Sequence, residues 1–338
     1  MIRTQRFLAR LLLLAAAAAP LAAGAAPVTV KMATLVPDGT SWSRILQELR
    51  ERWAKDSNGE VKLIIYPGGT QGDDRDVVRK MRLGSLSAGL LTSVGVADID
   101  PTVFALQVPM LYRSQEEVDY VLQKMLPRIE QSLAAKGFVL LSFVDGGWIH
   151  FFTKSPVRVP DDLKPLKLFA WAGDNEAVEI WKKAGFNPVP LPSTEISTAL
   201  QTGLVSAVPA PTTGAVLLQW YNHAKNMTDV NWSLLLGAII VKKDIWEKVA
   251  PELRPKLLEG AREAGRKFRE DMRRSSTSDV EAMKKRGLNV VSVDAQAEGL
   301  WRQAAESAYS RIRGGVVPAD AFDEAQKHLQ EYRKAHPK

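Results

Sequence analysis

The stretch Val28 to Gly69, VTVKMATLVPDGTSWSRILQELRERWAKDSNGEVKLIIYPGG, decides the fold. Its opening segment, Val28–Leu35, alternates and is rich in β-forming side chains, which predicts a strand. Apolar residues then recur at helical spacing from Trp42 to Trp53, and Asn58-Gly59 ends this predicted helix. Val61–Tyr66 predicts a second strand. The stretch is therefore a β-α-β unit, and such units build parallel sheets with right-handed crossovers.

Further strands and helices extend this pattern along the chain. A helix over Asp74–Leu83 and a short strand over Ala88–Thr92 complete a first β-α-β-α-β set. A second set begins with two strands, Phe138–Asp145 and Ile149–Thr153, separated by Gly146-Gly147, and it includes a helix over Thr213–His223. Leu234–Val241 predicts a long central strand. The charged stretch Pro251–Arg286 has little Gly or Pro and predicts a helix. Forty helical residues would reach ~60 Å, which is enough to lie across two domains.

The chain length agrees with two domains, since 338 residues exceed the roughly 150 of a typical domain. We expect an α/β fold with domain I over residues 26–137 and domain II over residues 138–224. A return segment at about 225–250 rejoins domain I, and residues 251–338 hold the long spanning helix and the C-terminal helices. Sheets of this kind bind ligands beyond the carboxyl ends of their strands, so the predicted site is a cleft between the domains.

Composition excludes several classes of site. The chain has no cysteine, which rules out disulfides, thiolate metal sites and cysteine nucleophiles. The net charge of +7 is mild, and acidic residues interleave with the basic ones between Arg262 and Arg274, which is typical of a solvated helix face rather than of a nucleic-acid site. We expect no metal and no cofactor.

Residues 1–25 have the pattern of a secretory signal peptide. Arg3, Arg6 and Arg10 give a basic start, Leu11–Ala19 is an unbroken apolar run, and Ala23-Gly24-Ala25 fits a cleavage site. A retained N-terminal anchor is the alternative, because the weakly polar stretch over 11–30 approaches the length of a membrane span. Cleavage would release a soluble, cysteine-free protein, which suits a bacterial periplasm.

Catalytic motifs are absent from the sequence. It contains no G-x-S-x-G, H-E-x-x-H, G-x-G-x-x-G or P-loop pattern, so we expect a binding protein rather than an enzyme. A secreted enzyme remains an alternative, and its acid–base set would be Asp145, His150 and Asp174.

Tryptophans and hydroxyls near predicted strand ends supply candidate ligand contacts. Trp42, Trp148, Trp171 and Trp232 lie near strand ends or just after turns, where loops converge on an interdomain cleft, although each is as compatible with a core position. Ser93 and Thr212 follow strands and offer hydroxyl groups.

Several segments resemble the solute-binding subunit of tripartite ATP-independent periplasmic (TRAP) transporters, of the dicarboxylate-binding type. The likeness covers nearly the whole chain after residue 26. The segments that carry it are Lys31–Thr34, Gly39–Trp42, Tyr66–Gly69, Arg79–Gly84, Pro109–Tyr112, Asp145–Trp148, Pro160–Leu168 and Ser193–Ala207. The resemblance implies a two-domain periplasmic binding protein of type II-like architecture, with hinge strands and one long helix that crosses both domains. It also implies that the ligand is trapped by domain closure and delivered to membrane subunits.

The chain departs from this family where the ligand would bind. The resemblance places Phe169 where the family has an arginine that pairs with the substrate carboxylate, and Pro209-Ala210-Pro211 where the family has Glu-Asn-Pro. We therefore expect a ligand with apolar character, an amphipathic organic acid or a lipid-like molecule. The predicted ligand-binding residues are Trp42, Ser93, Trp148, Phe169, Trp171, Thr212 and Trp232.

Three points stay open at this stage. A small carboxylate remains possible if Lys167 or another basic residue replaces the family arginine. A sensory module that reports the ligand to a membrane receptor would have the same fold. The apolar substitutions also resemble a TRAP subgroup that works with a periplasmic tetratricopeptide-repeat protein, which would then be a partner of this chain.

Overall fold

The structure is a computed structural model that describes residues 26–337. The predicted signal peptide, residues 1–25, lies outside the described residues. Over the described part of the chain, none of the helices combines the length and the apolar character that crossing a membrane requires.

Within residues 26–337, ten strands form one mixed sheet system. They are β1 (Val28–Thr34), β2 (Val61–Tyr66), β3 (Ala88–Thr92), β4 (Phe138–Thr153), β5 (Lys167–Trp171), β6 (Asn187–Leu191), β7 (Ala207–Pro211), β8 (Asn226–Thr228), β9 (Leu234–Lys242) and β10 (Asn289–Val291). The order is β2-β1-β3-β9-β4-β7-β5-β6, with β8 between β4 and β10. The predicted parallel pairing of β1 with β2 and with β3 is confirmed, and β9 joins antiparallel to β3.

Twelve α-helices of the described part of the chain cover the sheet. They are α1 (Ser41–Asp56), α2 (Asp74–Arg82), α3 (Ser93–Ile99), α4 (Gln115–Ala135), α5 (Pro160–Leu163), α6 (Asn175–Lys183), α7 (Ile196–Thr202), α8 (Thr212–Leu217), α9 (Lys243–Trp246), α10 (Arg254–Lys284), α11 (Ala295–Ile312) and α12 (Ala319–Ala335) within residues 26–337. Short 3₁₀ helices lie at Pro101–Gln107, Ser193–Glu195 and Trp220–Asn222. Side-chain caps fix several helix starts, such as the Thr40 hydroxyl that accepts from the Ser43 N–H at 3.1 Å.

β4 belongs to both halves of the molecule. Its residues 138–148 pair with β9, and its residues 149–153 pair with β7. We call the part of the sheet from β2 to β9, with the helices on it, the first lobe, and the part from β7 to β6 the second lobe. The sequence predicted two strands separated by Gly146-Gly147. The chain instead continues as one strand with a bulge at this point, because Gly147 takes a φ of 92° that other residues rarely adopt.

α10 is the long helix that the sequence predicts. Its 31 residues extend for ~47 Å at 1.5 Å per residue. It packs on α1 of the first lobe, on β4, and on α8 of the second lobe. Lys267 pairs with Glu48 of α1 at 2.6 Å, and Gly265 lets the helix approach the β4 backbone at Phe143. The helix therefore spans both lobes.

The last two helices return to different lobes. α11 packs on α5 and α6, and α12 packs on α4. Arg333 of α12 pairs with the buried Glu117 at 2.8 Å. Burial opposes ionisation of Glu117, but the hydrogen bonds from Arg333 and from the Arg113 backbone N–H, with the charges of both arginines, together outweigh it. The pKa of Glu117 is therefore lowered. This ion pair fixes α12, at the end of the chain, to α4 within the first lobe.

Candidate functional site

A cavity of about 320 Å³ lies between the two lobes, and we call it the cleft cavity. In the first lobe, it is lined by the residues that follow β1 and by those at the end of β3. From the second lobe it receives the ends of β5 and β7 and the start of the segment after β6. These are carboxyl ends of strands, so the cavity lies where an open α/β sheet is expected to bind its ligand.

Aromatic rings form much of the wall. Phe169 and Trp171 of β5 meet edge to face, with ring centroids 5.6 Å apart. On the opposite side Trp42 meets Phe268 of α10 in the same manner at 5.7 Å. Trp220 closes the second-lobe wall, and its Nε1 donates to Ser197 Oγ at 3.1 Å. The aromatic side chains give the cavity a large apolar surface with fixed geometry.

A few polar groups interrupt this wall. Gln107, Thr92, Ser193 and Ser197 line the cavity. The indole Nε1 of Trp42 is buried and has no hydrogen-bond partner within residues 26–337. A buried donor without an acceptor is costly, so a ligand oxygen or a water beside Trp42 would stabilise this arrangement.

Charge is nearly absent from the cleft cavity. Among the described residues that line it, none is a lysine, an arginine or a histidine, and Asp145 alone carries an ionisable side chain. Asp145 is 5% exposed. Its Oδ1 accepts the backbone N–H of Gly147 at 2.9 Å across the bulge of β4. Burial raises the pKa of Asp145, and the Gly147 hydrogen bond and the charge of Arg273 partly oppose this rise.

The structure brings three of the seven predicted site residues into the cleft cavity. These are Trp42, Phe169 and Trp171. Ser93 lies behind the wall, fully buried, with its hydroxyl hydrogen-bonded to the cavity-lining Gln107. Trp232 lies in the apolar core instead, 7% exposed, because its ring packs among Phe151, Trp181 and Trp301.

The two remaining predicted residues, Trp148 and Thr212, line a different cavity of about 270 Å³. We call it the back cavity. Successive side chains of a strand point to opposite faces, so Ile149 faces the cleft cavity while Trp148 and His150 face the back cavity. The other residues of the back cavity are Gln115, Gly147, Met227, Asp229, Asn231, Met272, Ser276, Thr277, Val280, Glu281 and Val290.

The acid–base set of the enzyme alternative is not assembled. Asp145 and His150 lie on opposite sides of β4. Asp174 caps α6, where it accepts the Ala177 N–H at 3.3 Å. Burial lowers the pKa of His150 and raises the pKa of Asp174, so each shift is explained by desolvation.

The lobes touch at the rim of the cleft cavity. Asp73, which caps α2 of the first lobe, accepts the Ser193 N–H at 2.7 Å and the Ser193 hydroxyl at 3.0 Å from the second lobe. A side chain at Gly69 would approach the Thr194 methyl to 2.8 Å. These contacts describe a closed cleft, which encloses whatever occupies the cavity.

Sequence reasoning missed Gln107, Ser197 and Trp220. Gln107 ends a 3₁₀ helix far from any predicted strand end, and it accepts a hydrogen bond from the Ser93 hydroxyl behind the wall. Trp220 lies beyond the short helix α8, where the sequence predicts a continuous helix over Thr213–His223. No local pattern points to either residue, because the packing of distant segments brings them to the cavity.

Comparison with known proteins agrees with this architecture. Residues 32–314 match the family model DctP, described as bacterial extracellular solute-binding protein, family 7. The 2,3-diketo-L-gulonate-binding periplasmic protein YiaO of Escherichia coli is 27% identical over 279 residues, which cover 80% of this chain and 84% of that protein.

Solved structures share the fold at lower sequence identity. The sugar acid binding protein of Advenella mimigardefordensis, in complex with galactonate, has a TM-score of 0.84 at 17% identity and covers 90% of this chain and 99% of its own. A TRAP periplasmic solute-binding protein of Sulfurospirillum deleyianum, with bound succinate, has a TM-score of 0.81 at 21% identity over 90% and 99%. The chain thus belongs to the DctP family of bacterial extracellular solute-binding proteins, family 7, the periplasmic solute-binding subunits of TRAP transporters, and it binds a solute rather than catalysing a reaction.

Proposed function

We propose that this protein captures a ligand with substantial apolar surface in the cleft cavity and delivers it to the membrane subunits of a TRAP transporter. The observation that carries the proposal is the lining of the cavity. Aromatic and aliphatic side chains dominate it, and no lysine or arginine lines it within residues 26–337. Each methylene that such a wall buries contributes about 0.8 kcal/mol to binding.

Phe169 is the residue on which the proposal depends most. It is 2% exposed, lines the cavity, and is held by Trp171 and by the second-lobe core. A guanidinium at this position would offer a ligand carboxylate a bidentate partner. A benzyl ring offers none, and a hydrogen bond to a charged group is worth about 1.5–3 kcal/mol. A bare dicarboxylate would therefore bind at least about tenfold more weakly here than beside an arginine.

A small carboxylate is the second candidate, because the similar proteins named above were solved with galactonate and with succinate. It would need a cation from outside the cavity wall. Lys167 is exposed, and its Nζ donates to the Gly203 carbonyl at 3.1 Å. Arg75 lies against Gly173 at the cleft rim and pairs with Asp98 at 3.4 Å. A rearrangement of Arg75 would supply the carboxylate with a guanidinium.

Export and delivery complete the proposal. The periplasm is the compartment of the family, and residues 1–25 would direct the chain there as a signal peptide. A tetratricopeptide-repeat protein in the same compartment would be a further partner. Peptide mass analysis of the exported protein tests the first point, because a mature chain that retains residues 1–25 contradicts cleavage.

A thermal-shift screen of the purified protein tests the ligand class. The set should contain short dicarboxylates, sugar acids, medium-chain fatty acids, aryl alkanoic acids and uncharged amphiphiles. We expect a rise in melting temperature only with ligands that carry an apolar body, since a ligand that binds the folded state alone stabilises it. Arg75→Gln is the matched variant. Stabilisation by succinate or galactonate alone, lost in Arg75→Gln, would contradict the apolar cleft and support the small carboxylate.

A further inference from the structure

We propose that Trp42 selects the polar end of the ligand, so that the cleft cavity takes an apolar body that ends in an oxygen acceptor, a monocarboxylate above all. The inference rests on the proposed function and adds to it the polar end of the ligand and the residue that recognises it. The apolar wall alone does not distinguish an acid from an amine with the same hydrocarbon chain, because both bury the same methylenes.

Trp42 holds a hydrogen-bond donor at the cleft cavity. It lines the cavity from the first turn of α1, and its ring meets Phe268 edge to face with the centroids 5.7 Å apart, which fixes the plane of the indole. Its Nε1 is buried and has no acceptor among the described residues. An indole nitrogen can only donate, so an oxygen that reaches it removes the cost of an unsatisfied buried N–H.

Two hydroxyl groups that line the same cavity are committed elsewhere. The Thr92 hydroxyl donates to Asp74, and the Ser193 hydroxyl donates to Asp73 at 3.0 Å. Each hydroxyl has a single proton, so neither can donate to a ligand without giving up a carboxylate partner. Trp42 needs no such exchange, because its N–H hydrogen is unused.

Gln107 adds a second neutral donor on the side of the first lobe. Its Oε1 accepts from the hydroxyl of Ser93, which is fully buried behind the wall. An amide that turns its oxygen towards Ser93 presents its NH₂ group at the opposite end. Gln107 lines the cavity whereas Ser93 does not, so we assign this NH₂ end to the ligand side.

Neutral N–H donors suit a single carboxylate. A hydrogen bond from an N–H to an ionised oxygen is about twice as strong as one between neutral groups. No lysine or arginine lines the cavity within residues 26–337, so a second carboxylate would lack a cation. Burial raises the pKa of Asp145, which favours its uncharged form and so reduces its repulsion of a ligand carboxylate.

Calorimetric titration with octanoate, octanamide and octylamine isolates the polar end, since the three share one chain. We expect octanoate to bind the wild type at least about tenfold more tightly than octylamine, whose ammonium group can only donate, with octanamide between them. Trp42→Phe keeps an aromatic ring and removes the N–H. It should weaken octanoate about tenfold and leave octylamine within about twofold.

Trp220→Phe is the matched control. It makes the same change in another ring of the cavity wall, but the Trp220 Nε1 already donates to Ser197 Oγ at 3.1 Å. The two variants lose similar apolar surface, so only the loss of a free donor separates them. We expect Trp220→Phe to keep the wild-type preference for octanoate over octylamine within about threefold.

A second measurement on the wild type avoids any folding defect of the variants. In ¹H–¹⁵N spectra, the Trp42 indole signal is the one that Trp42→Phe lacks. It should move downfield when octanoate binds, and the Trp220 signal should stay in place. A Trp42 signal that octanoate does not move, or equal losses of octanoate affinity in the two variants, would overturn the role of Trp42 and leave the apolar ligand intact. Binding of succinate with no binding of any octyl compound would overturn both.

Discussion

Two cavities border β4, one on each face of the strand. The cleft cavity takes Asp145 and Ile149, has an apolar wall, and draws its residues from both lobes. The back cavity takes Trp148 and His150, and polar side chains such as Asp229 and Asn231 line it beside apolar ones. Alternation along one strand thus separates residues that are adjacent in sequence. Both lobes and the carboxyl ends of their strands supply the wall of the cleft cavity, which is why we propose it as the ligand site.

The largest difference should appear when one residue of each cavity is replaced and the loss in free energy of unfolding is compared. Phe169→Ala removes a fully buried ring from the second-lobe core and should lower the free energy of unfolding by about 3–5 kcal/mol. Val280→Ala is the control, because Val280 is a half-buried residue of the back cavity and should cost about 1 kcal/mol or less. Urea unfolding monitored by circular dichroism measures both, and equal losses would contradict the structural role given to Phe169.

Replacing either of two tryptophans of similar exposure should have very different effects on ligand affinity. Trp171→Ala shortens the cleft wall and should weaken an apolar ligand by about 1.5–3 kcal/mol. Trp148→Ala makes the same change in the back cavity and should leave affinity within about twofold. Calorimetry with the tightest apolar ligand from the thermal-shift screen tests the pair. A stronger effect of Trp148→Ala would move the ligand site to the other side of β4.

Closure of the lobes should depend on the rim and not on the back cavity. Asp73→Asn keeps an acceptor for the α2 cap, but its amide nitrogen would face the Ser193 N–H. We expect about 1 kcal/mol less stability for the closed form, which is about a fivefold shift towards open molecules without ligand. Distances between spin labels on the two lobes measure this shift. The control Asp229→Asn lies in the back cavity, and a similar opening there would show a nonspecific charge effect.

The two cavities also show which features of the structure can be predicted from the sequence and which cannot. Apolar periodicity predicts the first β-α-β unit, and the scarcity of Gly and Pro in a long charged stretch predicts α10. Trp171 follows from a strand that ends at a cleft, whereas Phe169 was found through the family resemblance. Alternation separates Trp148 from Ile149, but which of the two faces the cleft cavity depends on the bulge at Gly147, which shifts the register of β4. Trp232 contacts rings from three distant segments, and such long-range packing leaves no periodic signal near the residue.

The smallest expected effect concerns acid sensitivity in the back cavity. Burial lowers the pKa of His150, and its Nδ1 has no partner within residues 26–337. The unfolded chain therefore binds a proton near pH 6.5 that the folded chain does not, so this group lowers stability as the pH falls below 6.5. His150→Phe should remove that loss. Chemical unfolding of both proteins at several pH values between 4.5 and 8 measures it.

The free energy of unfolding of His150→Phe must be subtracted from that of the wild type at each pH. A second buried group, Asp74, changes stability with pH in the opposite direction. Burial raises the pKa of Asp74 to about 7, so Asp74 favours the folded state below its unfolded pKa of about 3.8 and loses that contribution as the pH rises towards 7. Asp74 is unchanged in His150→Phe, and its contribution cancels. If the stability difference between wild type and variant stays constant from pH 4.5 to 8, His150 does not titrate against folding, and the back cavity hydrates it well enough to keep an ordinary pKa.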